Sequence, residues 1–260
     1  MAVSVKVIIP IYKTELTSME YISLQRCLKI LGKYTLVIIK PRSLDVSLLL
    51  KPFNYNFEIE EFDDHFFDGV AGYNRLMLDP VFYERFIHQE YILIYQLDAY
   101  VFRDELEMWC SQGYDYIGAP WLQKQKYHRF YYALFWGMKK RLCRGLGIRS
   151  YHDTFDKVGN GGFSLRKVAS HYQAIRELQQ KAIEYMGKSA NKRFNEDVFW
   201  ALEVPKKYPD FKIPDWREAL KFAFDVQVKE CFYYNGNNLP FGMHGWDCRL
   251  QYYRDYIEEL

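Results

Sequence analysis

The feature that most constrains the fold is a short apolar run, YILIY at Tyr91–Tyr95, bounded on both sides by polar residues. Such a run is typical of a strand that is buried on both faces of a parallel sheet. Gln96, Leu97 and Asp98 follow it directly. Ligands of open α/β sheets bind at the carboxyl ends of the strands, so Asp98 is predicted to meet a metal ion or a sugar hydroxyl there. The alternative is that its carboxylate caps the next turn or helix.

The segments before this run alternate between strand and helix patterns. The first strand is predicted to end near Pro10, because proline cannot donate to a sheet ladder. Thr17 and Glu20 form a capping box that begins the first helix. This order predicts an α/β fold with a doubly wound, mostly parallel, Rossmann-like central sheet flanked by helices. The predicted strands lie at 3–12, 35–39 and 57–62, and the first helix lies at 17–31.

The rest of the chain continues the same alternation. It contains no internal repeat, linker or low-complexity segment, so we predict one continuous domain. The further predicted helices lie at 68–79, 81–88, 104–110, 167–186 and 215–224, and the further strands lie at 115–118 and 158–166.

Composition excludes several classes of protein. The formal net charge is only +2, so the chain lacks the basicity of a protein built to bind nucleic acid. Five cysteines without a metal-binding or disulfide spacing predict reduced thiols. The first residues lack the pattern of a signal peptide, and no apolar run approaches the length of a membrane span. We therefore expect a soluble, cytoplasmic protein.

One basic and aromatic segment interrupts this nearly neutral composition. No acidic residue occurs from Tyr116 to His152, whereas eight lysines and arginines lie there among many aromatic residues. A solvated loop with a small helix would explain this pattern. The alternative is a flap at 124–149 that meets an anionic partner, such as a membrane surface, a lipid-linked acceptor or a diphosphate. The aromatic residues match no RNA-binding motif, so nucleic acid is not an expected partner.

Three further groups of residues are candidates for a binding site. Gly161 and Gly162, in VGNGGFSLR, allow the backbone to approach a ligand or another strand closely. Glu196 and Asp197 are adjacent at a helix start, so their side chains point in different directions and only one of them can face a given pocket. The alternative is that these acids stabilise the N-terminus of the helix. His244 is flanked by glycines and is predicted to lie on a loop, where it is a better candidate for a metal ligand than a core histidine.

Four motifs occur in a fixed order, QLDAYVF, DYIGAPW, NGGFSLR and NEDVFW, and FGMHGW follows them. This arrangement resembles glycosyltransferases of the GT-A type, and it looks most similar to a bacterial family of glycosyltransferase-like proteins. The resemblance extends from the first strand to about Trp246. It implies a single domain over 1–260, with a nucleotide-sugar-binding half at 1–120 and an acceptor-binding half at 121–260.

The resemblance also implies a divalent cation, Mn²⁺ or Mg²⁺, that bridges the diphosphate of the donor. Asp98 looks like the last aspartate of the DxD motif, and His244 is similar to the histidine that completes the metal shell. Gln96 stands where the first aspartate of the motif occurs. A carboxamide is a poorer ligand for a hard cation than a carboxylate.

The remaining site residues are implied by the same resemblance. Asp197 looks like the general base of inverting members, and Glu196 lies beside it in the motif. Trp121 and Trp246 are candidates for stacking on sugar rings, although ordinary packing is the alternative for both. The implied donor-binding residues are Pro10, Tyr12, Asn74, Arg75, Gln96, Asp98, Gly161 and Gly162.

The implied function is transfer of a sugar, of the hexosyltransferase kind, from a nucleotide-diphosphate sugar to a hydroxyl of a glycan or lipid-linked acceptor. The expected stereochemistry is inverting, and the expected process is synthesis of a surface polysaccharide. The expected location is the cytoplasm, with peripheral contact on the inner face of the membrane. Two alternatives stay open: a retaining transferase, and a catalytically inactive module that binds a nucleotide sugar or a glycan.

Overall fold

A computed structural model describes residues 3–123, 130–145, 150–189 and 191–258 of the 260-residue chain. Within these ranges the strands are β1 (Val5–Pro10), β2 (Thr35–Pro41), β3 (Glu58–Phe62), β4 (Tyr91–Tyr95), β5 (Ala99–Val101), β6 (Tyr116–Gly118), β7 (Phe163–Lys167), β8 (Ala223–Phe224) and β9 (Gly242–His244).

The α-helices of the same ranges are α1 (Ser18–Leu31), α2 (Ser47–Leu50), α3 (Gly69–Met77), α4 (Pro80–Arg85), α5 (Leu106–Ser111), α6 (Phe130–Gly145), α7 (Val168–Glu177), α8 (Gln179–Gly187), α9 (Glu196–Val198), α10 (Val204–Lys207), α11 (Trp216–Phe222) and α12 (Val228–Tyr234). Short 3₁₀ segments lie at Lys51–Phe53, Asp64–Phe67, Tyr151–Thr154, Lys192–Phe194, Asp247–Tyr252 and Arg254–Tyr256, and a π-helical turn lies at Phe199–Glu203.

The main sheet has the strand order β3-β2-β1-β4-β7-β6. Strand β1 pairs in parallel with both β2 and β4, and β2 pairs in parallel with β3. Strand β7 runs antiparallel to both of its neighbours, β4 and β6. The sheet is therefore mostly parallel and is flanked by helices, which confirms the predicted α/β class.

Strand β4, the apolar run that anchors the prediction, lies inside this sheet with all of its residues buried. Tyr91, Leu93 and Tyr95 belong to the core on one face of the sheet. Ile92 and Ile94 belong to the core on the opposite face. Burial on both faces explains why the run is continuously apolar and does not alternate with polar residues.

A smaller sheet follows the strand order β5-β9-β8. Its pairing sets Ala99 opposite His244, so His244 is the last residue of a strand. The prediction that His244 lies on a loop is therefore wrong. Of the two glycines that indicated a loop, Gly242 is the first residue of the strand, and a Cβ atom there would overlap the ring of Phe163. Gly245 has a φ of 64° and ends the strand.

Other predicted boundaries also differ from the structure. The helix predicted at 215–224 ends at Phe222, because Ala223 is extended, with a φ of −151° and a ψ of 149°, and begins β8. The strand predicted at 158–166 begins only at Phe163, because Asn160 adopts a left-handed φ of 64° that interrupts extended structure. The long helix predicted at 167–186 is divided at Leu178, whose φ of −103° and ψ of 21° separate α7 from α8. The helical spacing of apolar residues continues across this break, so the spacing does not reveal it.

The start of α1 has the predicted capping box. The backbone N–H of Thr17 donates to Oε2 of Glu20 at 2.8 Å, and the N–H of Glu20 donates to Oγ1 of Thr17 at 3.3 Å. Among the described residues, every helix falls short of the length and apolar character that a membrane span needs.

Candidate active site

A cavity of about 550 Å³ opens at the carboxyl ends of β1 and β4. Its walls come from six separate parts of the chain, which the fold brings together. The cavity is lined by ten of the eleven site residues that the sequence predicts: Pro10, Tyr12, Asn74, Gln96, Asp98, Gly161, Gly162, Glu196, Asp197 and His244.

A wider groove of about 1100 Å³ lies along residues 40–61 and contains none of the predicted site residues. Two of its three basic residues, Lys40 and Arg42, have acidic partners. Lys40 pairs with Glu61 at 2.7 Å, and Arg42 pairs with Asp63 at 2.9 Å. The groove is therefore larger than the cavity but lacks its concentration of chemically active side chains.

Three polar side chains converge near the ends of β4 and β9. Nε2 of His244 lies 3.2 Å from Oδ1 of Asp98 and 3.3 Å from Oε1 of Gln96. Backbone bonds hold this arrangement, since the N–H of Gln96 donates to the carbonyl of Gly162 at 2.8 Å and the N–H of Trp246 donates to the carbonyl of Asp98 at 3.2 Å. The pairing of β5 with β9 thus brings together residues that lie far apart in the sequence.

The charges around His244 are opposite to its own. Burial alone would lower the pKa of this histidine, but the carboxylates of Asp225 and Asp98 outweigh burial and raise the pKa to about 10. Burial would likewise raise the pKa of Asp98, yet its contact with His244 holds that pKa below the ordinary value. A proton therefore remains on His244 at neutral pH, between two carboxylates.

Asn160 and Asp225 complete the surroundings of His244 and are not among the predicted residues. Nδ2 of Asn160 lies 3.0 Å from Nδ1 of His244 and donates to Oδ2 of Asp225 at 2.8 Å. Oδ1 of Asn160 accepts from the N–H of Gly162 at 2.9 Å. An asparagine among glycines is a recognisable signal for a left-handed turn, whereas nothing in the sequence around Asp225 marks it.

A buried ion pair supports the carboxylate wall of the cavity. Arg166, which is fully buried, donates from Nη2 to Oε1 of Glu196 at 2.9 Å. It also donates to the hydroxyl oxygens of Tyr83 at 3.0 Å and Ser164 at 3.1 Å. Glu196 is only 2% exposed, and within the described residues its second oxygen, Oε2, accepts no hydrogen bond. A buried acceptor without a donor is costly, so Oε2 is suited to a hydroxyl of a bound ligand.

Asp197 has different surroundings from its neighbour. Burial and the charge of Glu196 raise the pKa of Asp197 to about 7, although the N–H of Val198 donates to its Oδ1 at 2.7 Å. The two adjacent acids therefore differ, because one is paired with Arg166 and the other exchanges its proton near neutral pH. Such a difference between two carboxyl groups is typical of acid–base sites.

The two predicted glycines are required by close packing at the cavity wall. A Cβ atom on Gly161 would overlap Oε1 of Glu196, and a Cβ atom on Gly162 would overlap the ring of His244. These glycines therefore let the loop before β7 lie directly against the two side chains.

Of the two predicted residues of α3, Asn74 lines the cavity and Arg75 does not. Asn74 is buried and joins α3 to α9, since its Oδ1 accepts from the N–H of Glu196 at 3.0 Å. Nη2 of Arg75 donates to the carbonyl of His65 at 3.3 Å, and the role of Arg75 in the donor site stays a prediction.

The two predicted sugar-stacking tryptophans do not line the cavity either. Trp246 is fully buried and packs near Tyr100, with ring centroids 5.6 Å apart. Trp121 packs over Gly159, where a Cβ atom would overlap its ring. Ordinary packing, the alternative reading, describes both residues.

The donor atoms near His244 fit a divalent cation in type. One carboxylate oxygen, one imidazole nitrogen and one carboxamide oxygen lie together on the cavity wall, and Mg²⁺ commonly uses one or two protein carboxylates with substrate phosphates. Within the described residues, no group of three or more His, Cys, Asp or Glu side chains is arranged to hold a metal ion. A cation at Asp98 and His244 would therefore need Gln96 and a bound diphosphate to complete its shell.

Residues 56–244 match a protein family that is described as "Protein of unknown function (DUF5672)". No curated protein matches the chain.

Several solved structures have a similar fold at low sequence identity. Mouse xyloside xylosyltransferase 1 has a TM-score of 0.54 and 12% identity over 92% of this chain and 96% of that chain. The galactosyltransferase LgtC, solved with donor and acceptor sugar analogs, has a TM-score of 0.51 and 12% identity over 98% of this chain and 94% of that chain. GlyE of Streptococcus pneumoniae has a TM-score of 0.50 and 11% identity over 93% of this chain and 54% of that chain. The chain therefore has the fold of GT-A glycosyltransferases.

Proposed function

We propose that this chain, which belongs to the DUF5672 family of proteins of unknown function, is a glycosyltransferase that uses a nucleotide-diphosphate sugar. The observation that carries the proposal is the cavity itself. Ten residues predicted from the sequence, from six separate parts of the chain, line one cavity at the strand ends. Ligands of open α/β folds bind at this place.

The donor diphosphate is proposed to lie beside Asp98, His244 and Gln96. These residues, with Mn²⁺ or Mg²⁺, would hold the pyrophosphate oxygens, and the cation would neutralise the charge of the departing nucleoside diphosphate. Asp225 and Asp98 raise the pKa of His244 to about 10, so we expect His244 to hold a proton on each ring nitrogen at neutral pH. A cation that uses Nε2 must therefore replace the proton on that nitrogen.

The acceptor end is proposed to lie at Glu196 and Asp197. A general base is most effective when its pKa is near the working pH, and the pKa of Asp197 is about 7. We therefore assign Asp197 to remove the proton of the attacking hydroxyl, which gives an inverting reaction. Glu196 is assigned to bind a sugar hydroxyl through Oε2, the oxygen that accepts no hydrogen bond among the described residues.

The broader assignment follows from the same cavity. We propose one domain with the donor half at 1–120 and the acceptor half at 121–260, because Pro10, Tyr12, Gln96 and Asp98 come from the first half and Glu196 and Asp197 from the second. His244 contributes to the donor site from the second half. The proposed acceptor is a glycan or glycolipid of a bacterial surface polysaccharide, glycosylated on the cytoplasmic side of the membrane.

A donor panel tests the proposal. The wild-type protein is incubated with nucleotide-diphosphate sugars and Mn²⁺, and mass spectrometry detects release of the nucleoside diphosphate. Release from at least one donor, lost in Asp197→Asn while donor binding persists, is expected. Binding is followed by the rise in unfolding free energy, about 2.7 kcal/mol at a hundredfold excess of ligand over its Kd.

A second candidate is a catalytically inactive module that binds a nucleotide sugar or a glycan. Gln96 favours it, because a carboxamide stands where the first carboxylate of the DxD motif occurs. This candidate predicts equal donor binding by the wild type and Asp197→Asn, with no release from any donor by either protein.

A further inference from the structure

Helix α6 carries an exposed apolar stripe that the proposed sugar-transfer site does not use. Five of its large apolar side chains are between 55% and 65% exposed: Tyr131, Leu134, Phe135, Met138 and Leu142. They follow one another at intervals of three or four residues, apart from Phe135, which is adjacent to Leu134. At about 100° per residue, they occupy one face of the helix about 100° wide. Monomeric soluble proteins rarely leave such a continuous apolar face in water.

The charges beside this stripe have one sign. Lys139 and Arg141 are exposed, and helical geometry places them roughly 80° to either side of the centre of the stripe. No acidic residue occurs between Tyr116 and His152. Eight of the 35 lysines and arginines lie in this segment, so the rest of the chain has 27 cationic against 33 anionic side chains, a formal charge of −6. In the sequence, the positive charge of the protein is therefore concentrated in the segment that contains α6.

We propose that α6 is an interfacial helix that binds the surface of an anionic lipid bilayer. Its 16 residues extend about 24 Å, which suits a helix lying in the plane of the surface. The apolar stripe would enter the boundary of the acyl chains, while Lys139 and Arg141 would reach lipid phosphates on both sides of it. Charge complementarity favours an anionic bilayer over a second copy of this chain, since two copies of α6 would bring like charges together.

The proposal concerns α6 only. The predicted flap spanned 124–149, but residues 124–129 and 146–149 lie outside the described residues, and so do the side chains of Lys140 and Arg144. In sequence, α6 connects β6 to the loop before β7. The end of β6 borders the wall of the cavity, since a Cβ atom on Gly118 would overlap the carbonyl oxygen of Asn160, which lines the cavity. Lipid binding by α6 is independent of the proposed function. Delivery of a lipid-linked acceptor from the bilayer to the cavity rests on the proposed function.

Sedimentation with lipid vesicles tests the proposal. The vesicles contain either phosphatidylcholine alone or phosphatidylcholine mixed with phosphatidylglycerol. The wild type is expected to sediment with the mixed vesicles and to bind the neutral ones at least tenfold more weakly. Replacement of the stripe (L134S, F135S, M138S and L142S together) and neutralisation (K139Q, K140Q and R141Q together) should each weaken binding to the mixed vesicles by about tenfold to a hundredfold.

Two matched variants control for these changes. L48S, I183S and Y233S together remove three other exposed apolar side chains, and K29Q, K33Q and K51Q together make the same change in net charge elsewhere. Both controls should bind like the wild type. Hydrogen exchange of the wild-type protein adds a readout without substitutions, because mixed vesicles should slow exchange within 130–145 and not within α7.

Several results would overturn the proposal. They are absence of wild-type binding to the mixed vesicles, equal binding by the stripe variant and the wild type, and unchanged exchange within 130–145. Analytical ultracentrifugation can give one further contradicting result. If the wild type binds no lipid but forms a dimer, and the stripe variant is a monomer, this face binds a second copy of the chain. Failure of lipid binding would leave the donor-panel experiment unaffected.

Discussion

Replacement of Asp197 by asparagine should make the protein more stable and inactive at the same time. The pKa of Asp197 rises from 3.8 to about 7 in the folded protein, mainly through burial and then through the charge of Glu196. The folded state therefore keeps a proton that the unfolded chain has already released above about pH 4. Folding stability is consequently lost as the pH rises from about 4 to 7.

The size of this loss follows from the rise in pKa. One pH unit of pKa difference corresponds to about 1.4 kcal/mol, so the rise at Asp197 corresponds to at most about 4 kcal/mol. Because the side chain borders the cavity, water screens part of this energy, and we expect a difference of about 1–3 kcal/mol. Asparagine keeps the shape of the side chain and does not ionise, so Asp197→Asn should escape the loss.

Urea unfolding of both proteins at pH 4 and pH 8 measures this difference. The free energy of unfolding of Asp197→Asn, minus that of the wild type, should increase between the two pH values by about 1–3 kcal/mol. The difference between the proteins removes the contribution of all other titrating groups. An equal pH dependence in the two proteins would refute the reasoning about the surroundings of Asp197. Higher stability with full transferase activity would refute its role as the base.

Three further predictions concern other parts of the site. Arg166→Met should lower the free energy of unfolding by about 3–5 kcal/mol because it leaves Glu196 buried without its partner, and adding Glu196→Gln should restore part of the loss. The control Lys6→Met removes an exposed ion pair and should cost less than about 1 kcal/mol; a loss that small for Arg166→Met would contradict the prediction. Gly162→Ala should lower the free energy of unfolding, measured with urea, by about 1–3 kcal/mol because the added Cβ atom overlaps His244. The control Gly187→Ala, where a Cβ atom meets no neighbour, should have no such cost, and equal effects of the two substitutions would contradict the close packing at Gly162. Mn²⁺ should bind more tightly at pH 8 than at pH 6, because the cation replaces the proton on His244 and releases it. Calorimetry in buffers of different ionisation enthalpy measures the number of protons released. Binding without proton release would be evidence against Nε2 as a ligand.

Much of the fold follows from local patterns in the sequence. The run Tyr91–Tyr95 has the composition of a strand buried on both faces, and it occupies such a position. Thr17 and Glu20 mark the start of α1 through side-chain bonds that need no tertiary information. These features are predictable because their physical cause lies within a few residues of the chain.

The remaining features depend on contacts between distant parts of the chain. His244 lies in a strand because β5 and β8 pair with it, and its flanking glycines cannot indicate those partners. Arg166 and Asp225 carry charges that matter only because Glu196 and His244 lie beside them. Arg75 follows Asn74 in the sequence, but the two residues have different places because successive residues of a helix face different directions.

Calorimetric titration of nucleoside diphosphates in the presence of Mn²⁺ tests the central claim most directly. The wild type should bind one of them, and Asp98→Ala should bind it at least tenfold more weakly. Asp45→Ala, in the wider groove along residues 40–61, should bind it like the wild type. Equal binding by Asp98→Ala and the wild type, or loss of binding in Asp45→Ala, would contradict the assignment of the cavity at the strand ends as the donor site.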